Sequence, residues 1–181
     1  MRYEVLPPTE KIRFALISID LAISKKSSAD KTAIVAAYVS NYGKKLKTYI
    51  APIIINKRLG FTETIQEIKK FQNQLIPGIP KHLLVENVGY QQSAIEQLKL
   101  EGFYVDPSSP QGDDKIARQS AIAPLVKNGT ILFPIEGLKE LEQQLVGLGI
   151  EAHDDLADAF AYLAKGVQEE MTKPEFDYAF V

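Results

Sequence analysis

The sequence predicts an α/β fold: one mixed β-sheet with helices on both of its faces. Three observations carry that expectation. Three apolar segments of strand length follow one another between residues 14 and 55 with only short polar connections. After residue 60 the apolar period changes to the spacing of helices, and strands and helices then alternate. Finally, 181 residues, 45% hydrophobic and 24% charged, are enough for one domain with its own core.

Residues 1–12 contain Pro7 and Pro8 and no periodicity, so they read as a lead-in or linker before a domain over 13–170, with 171–181 as a flexible tail. Residues 14–20 (FALISID) are a nearly continuous apolar run ending in an acid, the pattern of a central strand covered on both faces. After the polar loop 24–30, residues 32–39 (TAIVAAYV) and 45–55 (KLKTYIAPIII) read as two more strands. A short hairpin turn at Asn41, Tyr42 and Gly43 joins them. Three consecutive antiparallel strands are therefore expected to open the domain.

Ile65, Ile68, Phe71 and Leu75 fall at helical spacing between Thr62 and Ile76, and Pro77 and Gly78 close that helix. Residues 82–86 (HLLVE) form a short apolar strand, 91–100 a helix and 102–106 (GFYVD) a strand, which starts a parallel βαβ rhythm. A helix over 113–126, a short edge strand over 129–134 (GTILFP) and a helix over 138–145 come next. Leu156, Phe160, Leu163 and Val167 recur along a final helix. Antiparallel strands followed by βαβ units is the order of a ribonuclease-H-like domain. Flavodoxin-like and Rossmann folds begin with a strict β-α alternation that residues 14–55 do not show.

Cysteine is absent, which removes disulfides, zinc knuckles and thiol catalysis together. No apolar run approaches the roughly 18–20 residues of a membrane helix, and the N-terminus lacks a signal peptide's apolar core, so a soluble, cytoplasmic chain is expected. There is no GxxxxGK[ST] loop and no GxGxxG fingerprint, hence no familiar nucleotide site, and no GxSxG elbow. The net charge of -2 is uninformative, but its distribution is not. Residues 1–60 carry 11 basic and 4 acidic side chains, net +7, and the remainder carries -9. A basic face beside an acidic one fits this asymmetry, as do lysines that simply solubilise exposed strands.

Asp20 and Glu86 each end an apolar strand, where an open α/β sheet usually places its ligand site. If the two strands are neighbours, the carboxylates face each other. His153, Asp154, Asp155 and Asp158 open the last helix, and the i+3 and i+4 spacings bring Asp158 under Asp155 and Asp154. Oxygen-rich clusters of this kind suit Mg²⁺ or Mn²⁺. Two such ions about 3.5–4 Å apart can activate water and steady the leaving oxygen of a phosphodiester.

Each acid also has a plainer reading. Asp154 or Asp155 can cap the helix, and Asp158 can be a solvated helix residue. Asp20 and Glu86 are harder to explain so, because an acid at the end of a buried strand needs partners or a metal. His153 can tune a ligand, orient water or cap. Lys115 and Arg118, near the start of a helix, can touch a phosphate or only line a solvated face. Asp30 and Thr32 fit structural roles, and the Gly89-Tyr90 turn reads as a packing aromatic or, with Tyr90 exposed, as a ring that can stack on a base.

Several blocks taken together resemble a known family. They are Ile19 to Ala22 (IDLA) followed by Ser28 to Ile34 (SADKTAI); Leu84 to Asn87 (LVEN); Lys115 to Arg118 (KIAR) leading to Pro124 to Gly129 (PLVKNG); and His153 to Ala159 (HDDLADA). In order and spacing they are similar to the C-terminal nuclease domain of the large terminase subunit of tailed bacteriophages, over about residues 5–168. The resemblance implies a ribonuclease-H-like, two-metal endonuclease using Mg²⁺ or Mn²⁺. It would cut concatemeric viral double-stranded DNA during packaging and leave 3′-hydroxyl and 5′-phosphate ends.

The resemblance further implies that Asp20 bridges both metals, that Glu86 is the second ligand and that the third lies among residues 153–158. Asp155 is the first choice there, with Asp154 and Asp158 as substitutes or assistants, and Lys115 and Arg118 lie near the DNA. Its implied partners are the terminase ATPase domain, the small terminase subunit and the portal. One departure is the missing Walker motif, which suggests an isolated nuclease domain or a separately encoded nuclease. Alternatives are another ribonuclease-H-like nuclease, such as a junction resolvase or an RNA:DNA hybrid hydrolase, and a noncatalytic packaging or adaptor module.

Overall fold

A computed structural model describes residues 1–22, 31–86, 92–108, 115–147 and 154–173, with the backbone alone for Glu86, Pro107, Ser108, residues 115–119 and Ala121. Along the chain run β1 (Arg2–Tyr3), β2 (Ile12–Asp20), β3 (Thr32–Ser40), β4 (Lys47–Lys57), α1 (Phe61–Gln74), β5 (Lys81–Glu86), α2 (Gln92–Leu100), β6 (Tyr104–Ser108), α3 (Lys115–Lys127), β7 (Ile131–Pro134), α4 (Lys139–Val146) and α5 (Asp155–Thr172). The strands form one mixed sheet in the order β1-β7-β4-β3-β2-β5-β6. β2, β3 and β4 pair antiparallel, while β2 with β5, β5 with β6 and β4 with β7 pair parallel. That is the expected arrangement.

The alternation along β2 explains why its sequence is apolar at nearly every position. Phe14 and Leu16 enter a core shared with α3, α4 and α5, whereas Ala15, Ile17 and Ile19 enter a second core beneath α1 and α2. A strand buried on both faces cannot alternate with polar residues. β3, in the middle of the sheet, is buried along all nine of its residues. On α1 the helical stripe Ile65, Ile68 and Phe71 is buried against the second core, each side chain contributing about 1.5–3 kcal/mol.

α5 crosses the other face of the sheet at close range. A Cβ on Gly166 would lie 2.6 Å from Cδ1 of Leu84 on β5 and 3.1 Å from Cδ2 of Leu16 on β2. Glycine is what lets the helix backbone approach the sheet there, and this fixes the height of α5 above the strand ends.

Several boundaries differ from those expected. Residues 1–12 read as a lead-in, yet Arg2 and Tyr3 pair with Phe133 and Pro134 and add an outermost strand, so β7 is not the edge. Side chains hold this strand in place: the Arg2 guanidinium grips both oxygens of Glu142 at 2.7 and 2.9 Å, and the Tyr3 hydroxyl donates to the Ile50 carbonyl at 2.5 Å. β6 begins at Tyr104 rather than Gly102. Gly102, at φ +86°, instead closes α2 by donating to the Lys99 carbonyl at 3.0 Å, a turn that suits glycine. At the C-terminal end, Met171 and Thr172 continue α5, and residues 174–181 lie outside the described residues. Among the described residues no helix is long and apolar enough to cross a membrane.

Candidate metal centre

The site is built first by strand register. Ile19 on β2 pairs with Val85 on the parallel strand β5, so the next positions, Asp20 and Glu86, stand level at the ends of adjacent strands, roughly 4.8 Å apart across the sheet. Alternation assigns both positions to the face that carries Leu16 and Leu84, which is the face covered by α5. The strands that end in Asp20 and Glu86 are thus neighbours, the condition under which the sequence places the two acids opposite each other.

The third acid arrives on a helix. Asp155 is the first residue of α5 and is 6% exposed. Its Oδ1 accepts a hydrogen bond from the backbone N–H of Lys31 at 3.3 Å. Lys31 immediately precedes β3, and Ala33 of β3 is the antiparallel partner of Asp20. One hydrogen bond and two residues thus connect the Asp155 carboxylate to the strand pair that ends in Asp20. The buried hydroxyl of Thr32 secures the same junction, donating to the Ala22 carbonyl at 3.2 Å and accepting from the Ala22 N–H at 3.3 Å. Burying a carboxylate is costly without charge or hydrogen-bond compensation, and the N-terminal end of α5 supplies part of it through the helix dipole.

Side-chain capping of α5 does not account for Asp154. Asp154 occupies the N-cap position, but its side chain makes no capping hydrogen bond. The cap comes from Gln144 on α4, whose Oε1 accepts from the N–H groups of Leu156 at 2.9 Å and Ala157 at 3.2 Å. Asp158 is half-buried one turn further on, with its N–H donating to the Asp154 carbonyl at 2.9 Å. Glu140, one turn before Gln144, meets the Lys31 ammonium at 4.0 Å and accepts from the Asn56 amide at 2.5 Å. Gln144 and Glu140 carry no sequence signal as site residues, and Lys31 stands only as one position of the SADKTAI block. A contact between side chain and backbone across 12 residues leaves no motif or period.

The described residues contain no group of three His, Cys, Asp or Glu that could hold a metal ion. The Glu86 side chain, His153, Asp30, Gly89 and Tyr90 lie outside the described residues. Asp20, Asp154, Asp155 and Asp158 offer oxygen donors only, and the position of Glu86 adds another carboxylate, a donor set that fits hard cations such as Mg²⁺ and Mn²⁺. Lys115 and Arg118 stand three residues apart in the first turn of α3.

No protein-family model matches the chain, and no curated protein sequence matches it. Solved structures do. The crystal structure of the large terminase nuclease from thermophilic phage G20c with bound magnesium superposes with a TM-score of 0.59 at 14% identity, covering 90% of this chain and 84% of that one. The same nuclease with bound zinc gives 0.56 at 15% identity, over 82% and 78%. A third crystal structure of that nuclease gives 0.53 at 14% identity, over 82% and 80%. The mixed sheet, its strand order and its two helical layers thus give this chain a ribonuclease-H-like fold, the fold of the large terminase nuclease of phage G20c.

Proposed function

We propose that this chain is a Mg²⁺- or Mn²⁺-dependent DNA endonuclease, the nuclease of a viral DNA-packaging terminase that cuts concatemeric double-stranded DNA in the host-cell cytoplasm. The observation that carries this reading is the β2–β5 register, which sets positions 20 and 86 level on adjacent parallel strands, with buried Asp155 bonded to Lys31 beside them. The likeness to a phage nuclease whose crystals hold magnesium or zinc supports it.

In this reading Asp20, Glu86 and Asp155 hold two divalent ions, Asp154 and Asp158 assist, and His153 orients from outside the ligand set. When bound, the ions lower the pKa of the attacking water and offset charge on the leaving 3′ oxygen. The chain's own part is preorganisation. Sheet register fixes positions 20 and 86, and the Lys31 N–H fixes Asp155, so little rearrangement accompanies the reaction. Lys115 and Arg118 contact backbone phosphates, which positions the duplex without reading its sequence.

A chain of net charge -2 binds DNA weakly and in a salt-sensitive way by itself. The ATPase domain, the small terminase subunit and the portal then supply the remaining affinity and the choice of cutting site. The test is incubation of the purified chain with supercoiled plasmid in Mg²⁺, Mn²⁺ or EDTA, beside Asp20→Asn. Metal-dependent nicking that disappears in the variant supports the reading. Equal, intact plasmid in every lane at low salt overturns it, and four-way junctions and RNA:DNA hybrids run in parallel identify the related nucleases.

A further inference from the structure

We infer that Gln144 is a positioning residue for the metal centre: it caps the first turn of α5 and so fixes where Asp155, the first residue of that helix, stands relative to the strand ends. The inference rests on the metal-site reading above and extends it to a residue that touches neither metal nor DNA.

Three observations at the start of α5 carry it. Gln144 is 5% exposed, and a polar side chain so placed needs partners. It finds them at the N-terminus of α5, where Oε1 accepts from two successive N–H groups, those of Leu156 and Ala157. These are among the four donors that a helix start leaves unsatisfied, the ones an aspartate at the N-cap ordinarily takes. Asp154 stands at that N-cap without bonding them.

The same helix reaches the other side of Asp155. Glu140, four residues before Gln144 on α4, lies 4.0 Å from the Lys31 ammonium, and the Lys31 N–H holds Asp155 Oδ1. Helical spacing puts Glu140 and Gln144 on one face of α4, and that face braces the Asp155 turn from the helix side and from the strand side. Loss of the Gln144 acceptor leaves two helix-start donors unsatisfied beside the N-cap Asp154, which shifts the first turn of α5 and Asp155 with it.

The test is Mn²⁺ binding to the purified chain, by calorimetry and by the electron paramagnetic resonance of free Mn²⁺, for wild type, Gln144→Met, Gln144→Glu and Asp20→Asn, with melting temperatures measured alongside. Gln144→Met keeps the volume and loses the acceptor; Gln144→Glu keeps the acceptor. The expected result is that Gln144→Met weakens Mn²⁺ binding about 10–100-fold while remaining folded, as for residues that orient metal ligands, and that Gln144→Glu restores it to within a few-fold. If Gln144→Met does not fold, Gln144→Asn, one methylene short of the two N–H groups, must show the same loss. A folded Gln144→Met or Gln144→Asn that binds Mn²⁺ like wild type overturns the inference, and so does a Gln144→Glu as impaired as Gln144→Met. Wild type that binds no more Mn²⁺ than Asp20→Asn overturns the metal-site reading itself, and the inference with it.

Discussion

Lys31 donates its backbone N–H to Oδ1 of Asp155 at 3.3 Å, joining two residues 124 apart in the chain. An amide oxygen at position 155 can still accept that bond, so Asp155→Asn removes the charge while leaving the anchor. Nicking of plasmid in Mn²⁺ is expected to fall about 100-fold or more, because charge stabilisation worth several kcal/mol is lost. The melting temperature should stay within a few degrees of wild type. A variant that nicks at the wild-type rate removes Asp155 from the ligand set.

The close approach of α5 to the sheet is testable by volume. Gly166→Val places atoms where a Cβ alone would already lie 2.6 Å from Leu84 Cδ1 and 3.1 Å from Leu16 Cδ2. Both leucines are packed in the core and have little room to yield. Overpacking of this kind costs about 1–3 kcal/mol, which chemical denaturation should register as a lower midpoint at unchanged slope. No change in midpoint would mean that α5 sits higher above β2 and β5.

His82 makes stability depend on pH at the end of the sheet remote from the acids. Its ring stacks on Phe14 at 4.5 Å, and burial pushes its pKa below the ordinary 6.5, the nearby Glu170 opposing the shift. The unfolded chain therefore takes up a proton near pH 6.5 that the folded chain resists. Stability from this group is full above that pH and is lost as pH falls toward the folded value. His82→Phe keeps a ring against Phe14 and removes the titration, so its melting temperature should fall less than that of wild type between pH 7.5 and pH 5.5. Parallel curves would exclude His82 as the cause.

Lys115 and Arg118 occupy the first turn of α3, and their expected role is with phosphates rather than bases. Lys115→Ala and Arg118→Ala should each weaken duplex binding alike for unrelated sequences and reduce the slope of log affinity against log salt by about 1. Fluorescence anisotropy at several salt concentrations measures both quantities. An unchanged slope would assign these side chains to a solvated face.

Much of the fold was legible because its strands are buried on both faces. FALISID and TAIVAAYV fill two cores at once, and such runs stand out in a sequence. β1 did not, since a two-residue strand has no period and exists through the grip of Arg2 on Glu142 and of Tyr3 on Ile50. In the site, Asp20 and Glu86 were visible as acids that end apolar runs. Their equal level was not, because register between strands more than 60 residues apart is set by the whole β2–β5 ladder. The capping alternative for Asp154 failed for a similar reason: Gln144, on another helix, supplies the cap.

The central claim is that carboxylates at the ends of β2 and β5 and at the start of α5 form one metal site. Anomalous scattering from crystals soaked in Mn²⁺ tests it most directly. The account expects Mn²⁺ peaks bounded by Asp20, Glu86 and Asp155, absent in Asp20→Asn crystals soaked in the same way. Peaks elsewhere on the surface, with the ends of β2 and β5 empty, would contradict it.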